Sequence, residues 1–277
     1  MRAKKKSFDV VKFAGLTLGG GKGRKTSLSI LEYYTKEKKL FLSELYQGIE
    51  ESGRVSADTQ LIKKIEKHKE NLNLIAVDAP LKVPKCMRCR LTCPGHEKCT
   101  EPEIQWMWKW YKKRGKKKRP NKIFTPYTER CAEQYILSDV DGDIFPDHAF
   151  GSNRAPLAMR AMYLNRRMKG TKLIEVLPRL SLWHIGQNIG FRKSRILSYK
   201  QFTKGEDIRS DFLELWSEKE LSFIYHRDFK LMVKDAFAFE SFICAYTGFL
   251  KYQGLCESKP KGFPKAEAWV DFPKLQS

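Results

Sequence analysis

Long hydrophobic runs are what this sequence most plainly lacks. No stretch of 18 consecutive apolar residues occurs in its 277 positions, so no segment reads as a membrane span. The basic opening MRAKKK leads into a segment that Asp9 and Lys12 interrupt before any cleavable apolar region is complete, which argues against a secretion signal. The absence of an internal repeat excludes solenoids and propellers. His68, His148, His184 and His226 are scattered and suggest no histidine-based metal set. Negative charge is scarce as well: 32 Asp and Glu stand against 53 Lys and Arg, a formal net charge of +21. That balance attracts polyanions through a long-range field and the release of their counterions. Nucleic acid is therefore the first partner to expect, although a basic surface also serves solubility alone. The expectation is a soluble, cytoplasmic protein with no membrane partner.

A hydrophobic content of 42% is enough for a sizeable core. From Phe8 to Leu18 the chain is apolar and rich in strand formers, and Gly19, Gly20, Gly21 and Gly23 mark a turn before a second run, Thr26 to Tyr34. A third run, Lys39 to Tyr46, follows the charged turn TKEK and adds a third antiparallel strand. Helical spacing of Leu61, Ile62 and Ile65 predicts a helix over 56–69, with Ser56 or Asp58 as its cap. Leu72 to Val77 reads as a buried strand that ends at Asp78-Ala79-Pro80. Between 82 and 153 periodicity is weak apart from a Trp-rich helix near Glu103 to Tyr111, so this segment is expected to be an insert interrupting one domain over 1–257. Helix 155–168, strand 172–177 and further helices follow, the last running from Asp228 to Tyr252, and the proline-bearing tail 258–277 reads as irregular. Three antiparallel strands and then crossover strands, flanked by helices, describe an α/β mixed sheet of the ribonuclease H-like type. Actin-like phosphotransferases share that order, but no glycine-rich adenosine loop is found near the C-terminus, and fold order alone names no function.

Five segments carry a family resemblance: FAGLTLGGGKGRKT, LIAVDAPL, TPYTER, LIEVLPR and KDAFAFESFICAYTGFL, spread from Phe13 to Leu250. In order and spacing the chain resembles the DUF429 family of predicted ribonuclease H-like nucleases. The resemblance implies that fold and a metal-dependent nuclease activity on DNA or RNA. Read from the residues alone, Asp78, Glu175 and Asp235 are each a carboxylate among apolar neighbours, and burying one without a partner costs several kcal/mol or forces it to take up a proton. Converging, they would suit a divalent cation, Mg or Mn, that orients water at a phosphodiester, with Asp78 and Asp235 as ligands. Each could instead cap a loop or pair with Arg or Lys. One departure matters: where the family's first strand carries an Asp, this chain has Thr17, and a hydroxyl brings no charge to a cation. Asp9 lies too far along the strand to substitute, and Glu32 on the second strand is a conceivable stand-in. Thr17 thus keeps open a second function, a non-catalytic nucleic-acid-binding protein with a structural zinc site. In TPYTER, Glu129 and Arg130 would line the same cleft, the Arg gripping a phosphate, or form an ordinary ion pair. In GGGKGRK, Lys22 and Arg24 would offer cations to substrate, or merely flank a hairpin turn; the spacing is not that of a Walker A loop.

Seven cysteines are present, and Cys86, Cys89, Cys93 and Cys99 fall within fourteen residues, with His96 between the last two. Four soft ligands in a short Pro- and Gly-bearing loop suit tetrahedral zinc in a structural role, or alternatively an iron-sulfur cluster, since Pro94 follows Cys93. Cys131, Cys244 and Cys256 read as core thiols. Nine basic residues and no acid lie between Lys109 and Lys122, directly after Trp106 and Trp108 and around Trp110. Such a stretch either stacks exposed bases while holding phosphates or is a solvated loop whose tryptophans pack inward.

Overall fold

β1 (Val10–Thr17), β2 (Ser27–Tyr34) and β3 (Lys39–Tyr46) form the antiparallel meander that the turn residues predict, with Thr17 opposite Ser27 and Val10 opposite Tyr34. The computed structural model describes residues 9–20, 24–113, 123–140, 149–151 and 153–276. Lys22 and the basic run 114–122 therefore lie outside the described residues. α1 (Ala57–Glu66) begins where the Ser56 hydroxyl accepts the Thr59 amide, and it buries Leu61, Ile62 and Ile65. β4 (Leu72–Val77) then returns parallel to β1.

Between β4 and the next strand come α2 (Lys85–Arg88), α3 (Pro102–Lys113), α4 (Cys131–Asp139) and α5 (Arg154–Arg167). β5 (Leu173–Val176) lies parallel to β4. It is followed by α6 (Pro178–Asn188), α7 (Lys193–Ile196), α8 (Gly205–Glu218), α9 (His226–Lys234) and α10 (Ala236–Tyr252). The tail expected to be irregular instead supplies β6 (Val270–Asp271), parallel to β5, because Phe263, Trp269, Val270 and Phe272 are buried and draw it onto the sheet edge. The result is an α/β structure with a six-stranded mixed sheet in the order β3-β2-β1-β4-β5-β6, flanked by helices and compatible with a ribonuclease H-like arrangement.

Strand alternation sorts side chains to two faces. Ala14, Leu16, Ile75 and Val77 meet α1 and α5, while Phe13, Leu74, Ala76, Ile174 and Val176 join the larger core that α10 covers. Segment 82–153 adds Ile104, Trp106, Met107, Trp110, Phe124 and Ile136 to that same core, so it is built into the domain. α10 crosses β1 so closely that a Cβ on Gly15 would lie 1.9 Å from the Ser241 carbonyl oxygen. The single helix expected from Asp228 to Tyr252 is broken at Asp235, whose backbone is extended (φ −115°, ψ 109°). No helix among the described residues is long and apolar enough to cross a membrane.

Candidate active site

The alternation that buries Leu74 and Ala76 under α10 carries two residues further to Asp78, just past the end of β4. The Asp78 amide donates to the Leu16 carbonyl at 2.9 Å, which brings the carboxylate alongside Thr17, the last residue of β1. Over this end of the sheet lies the first half of α10, fixed by a 2.6 Å hydrogen bond between the Ser29 and Ser241 hydroxyls. Glu240, the neighbour of Ser241, is 2% exposed and shares a cleft of about 200 Å3 with Asp78. Arg154, Arg179, Tyr199 and Lys200 complete its polar lining.

Each carboxylate in the cleft faces a cation. Arg154 Nη2 approaches Asp78 Oδ1 at 3.3 Å, and Lys200 Nζ approaches Glu240 Oε1 at 2.6 Å. The Tyr199 hydroxyl donates to the same Glu240 oxygen. Burial pushes the Asp78 carboxyl up to about 6; Arg154 and Lys200 pull it back, and the charge of Glu240 adds to the rise. Burial, then Asp78 and Glu240, push the Cys244 thiol well above its ordinary value, so it stays protonated beneath the two acids. Three buried oxygens at this end of the sheet have no hydrogen-bonding partner: Glu240 Oε2, Thr17 Oγ1 and Ser27 Oγ. Orphaned polar atoms of this kind cost free energy unless a ligand or water meets them, and the pairing of Thr17 with Ser27 places two of them side by side.

The other predicted acids do different work. Asp235 caps α10, its Oδ1 accepting the Phe237 amide at 2.7 Å and the Ala238 amide at 3.4 Å, and it does not line the cleft. Glu175 stands in register with Val77, on the sheet face away from Ile174 and Val176. Arg130 holds both its oxygens, with the Leu81 amide adding a bond at 3.0 Å. Arg130 is 1% exposed and also bonds Glu133 and the Lys82 carbonyl, which leaves no face of its guanidinium for a phosphate. Glu129 is equally occupied, accepting the Thr125 amide at 2.9 Å and the Gln134 side chain. Asp235 is thus engaged as a cap and Glu175 with Arg130 as an ion pair, in place of the catalytic, cation-binding and phosphate-binding parts expected of them, while Glu129 is held by neutral donors. Arg24 is exposed on the β1–β2 turn, where Arg160 reaches the Gly19 carbonyl at 2.7 Å from beneath. Neither stand-in for the missing acid reaches the cleft: Glu32 pairs with Lys12 at the far end of β1, and Asp9 pairs with Lys36 at the surface.

The tryptophans of α3 face inward. Trp106 and Trp110 are 7% and 6% exposed, and Trp108 stacks on His96, so bases find no open ring there. The four clustered cysteines are free thiols on and after α2. Among the described residues no three or more His, Cys, Asp or Glu side chains are grouped so that they could hold a metal ion. No family model, curated protein or solved structure matches the chain.

Glu240 is the residue that sequence reasoning passed over, although Phe239, Phe242 and Ile243 surround it just as apolar residues surround Asp235. The signal was Ser241, Ala245 and Gly248, small residues at helical spacing that mark the strand-facing side of α10 and so the side next to Glu240.

Proposed function

We propose that the chain is a metal-dependent nuclease of ribonuclease H-like fold, hydrolysing phosphodiester bonds in DNA or RNA, with Mg or Mn held by Asp78 and Glu240. The observation that carries this reading is the pair of carboxylates, from a strand end and from the helix crossing it, facing one basic cleft with Glu240 Oε2 unpartnered. A bound divalent cation supplies Lewis acidity at the phosphoryl oxygen and lowers the pKa of its water. The chain supplies the rest: Tyr199 and Lys200 fix one oxygen of Glu240, and Arg154 and Arg179 offer guanidinium groups to the phosphate. Two carboxylates and the hydroxyl of Thr17 suit a single cation better than a pair of them.

Labelled single- and double-stranded DNA and RNA, incubated with Mg2+, Mn2+ or chelator, test the reading. Cleavage is expected only with the metal and is expected to fall about 100-fold or more in both Asp78→Asn and Glu240→Gln, in keeping with loss of a charge-stabilising group. Metal-independent cleavage, or cleavage that survives both substitutions, would remove the centre from consideration. A second reading, a nucleic-acid-binding protein without catalysis, is favoured by the pairing of Asp78 with Arg154 and of Glu240 with Lys200, which already neutralises both acids. It predicts binding that weakens steeply with salt and no cleavage under any metal.

A further inference from the structure

The loop 82–101 lacks the means that hold the rest of the fold together. After the single turn of α2 it has no helix or strand, and Met87 and Leu91 stand 63% and 64% exposed, so no core lies beneath its middle. Its two ends are nevertheless anchored. Lys85 pairs with Glu101 at 2.8 Å, Gln105 donates to the Cys99 carbonyl at 2.5 Å, and Trp108 donates to the His96 carbonyl at 2.9 Å. The far side is tied to the C-terminal segment, since Arg88 donates to the Ala266 carbonyl at 3.2 Å and meets Glu267 at 3.4 Å.

Between these anchors sit four thiols. α2 sets Cys86 on its turn and Cys89 at its end, Cys86 and Cys99 pack half-buried against the large core, and Cys93 is exposed. Gly95, with φ at +85°, turns the chain back between Cys93 and Cys99. The ring of His96 is stacked on Trp108 at 5.9 Å and meets the edge of Phe124 at 5.6 Å, which fixes its orientation, and the four thiols are the soft donors of the loop.

We propose that Cys86, Cys89, Cys93 and Cys99 bind one zinc ion and that this ion pins the loop to the end of the sheet carrying β6. Bringing four sulfurs to about 2.3 Å from one ion sets them roughly 3.8 Å apart, a contraction that a loop fixed at both ends and free in its middle can make. The thiols give up their protons as they bind, and the dication offsets the repulsion that four thiolates would otherwise feel. A single tetrahedral ion asks for less rearrangement than a cluster that must also be enclosed with its sulfides. The proposal is independent of the nuclease reading, because the cysteines lie outside the cleft of Asp78 and Glu240.

Elemental analysis of the full chain purified without chelator is the first test. About one zinc per chain is expected, with less than about a tenth of that in Cys89→Ser and Cys93→Ser, the latter replacing an exposed side chain so that folding, checked by circular dichroism, is kept. Thiol counting supplies a second readout: four thiols should turn fast-reacting when zinc is stripped and become protected again when zinc chloride is returned. Hydrogen exchange in residues 256–271 should rise on stripping. Metal-free protein whose thiols react alike with and without zinc, a coloured iron-containing protein, or disulfides in the intact mass would each overturn the proposal.

Discussion

Asp235 and Glu240 stand five positions apart, each among apolar neighbours, and they differ in what their oxygens meet. The first spends its oxygen on amides at the start of α10, whereas the second keeps one oxygen without a partner inside the cleft. Asp235→Ala is therefore expected to lower stability by about 1 kcal/mol in urea unfolding, the usual cost of losing a cap, while leaving nucleic-acid cleavage intact. A loss of cleavage as deep as that of Glu240→Gln would mean the two roles have been assigned the wrong way round. Asp78 was legible in the sequence because a strand that stops on a carboxylate before Ala-Pro advertises an exposed end. Glu240 was not, because which acid caps and which faces the cleft depends on where the helix breaks, and the extended backbone at Asp235 is a tertiary outcome. Arg154, Arg179, Tyr199 and Lys200 were missed for a related reason: they reach the cleft from elements distant in sequence, and no local pattern marks them.

The seat of α10 on β1 decides whether that cleft exists. The backbone of Ser241 lies where any side chain at position 15 would begin, so Gly15→Ala must push the helix away from the sheet. A loss of about 3 kcal/mol, or failure to fold, is expected by denaturant titration. Gly20→Ala, with nothing within 4 Å, serves as the control and should leave the midpoint unchanged. Equal midpoints for the two variants would contradict the described contact. The meander, α1 and β4 were legible because their alternation and helical spacing follow from one face being buried and the other not. α4 and β6 were not: α4 spreads its apolar residues around the helix, and β6 is two residues long, fixed by the aromatic rings on either side of it.

Across the whole molecule, burial of ionisable groups makes stability depend on pH. His184 on α6 is 4% exposed against the ring of Phe272, and burial pushes its pKa down to about 4. A base whose folded value lies below its ordinary one near 6.5 contributes full stability above that ordinary value and loses it as pH falls towards 4. The loss should approach about 3 kcal/mol, and His184→Phe should flatten the melting temperature between pH 6.5 and 4 by removing the group that must charge on unfolding. An unchanged slope in the variant would assign the acid sensitivity elsewhere. The placement of β6 carries a consequence for synthesis. The strand that closes the parallel edge follows its partner β5 in the chain only after α6 to α10, and it is held there by the Glu257 amide on the Phe272 carbonyl at 2.9 Å. Until β6 arrives β5 presents an open template to any nascent neighbour, so a growing chain is exposed to mispairing throughout the interval between the two strands.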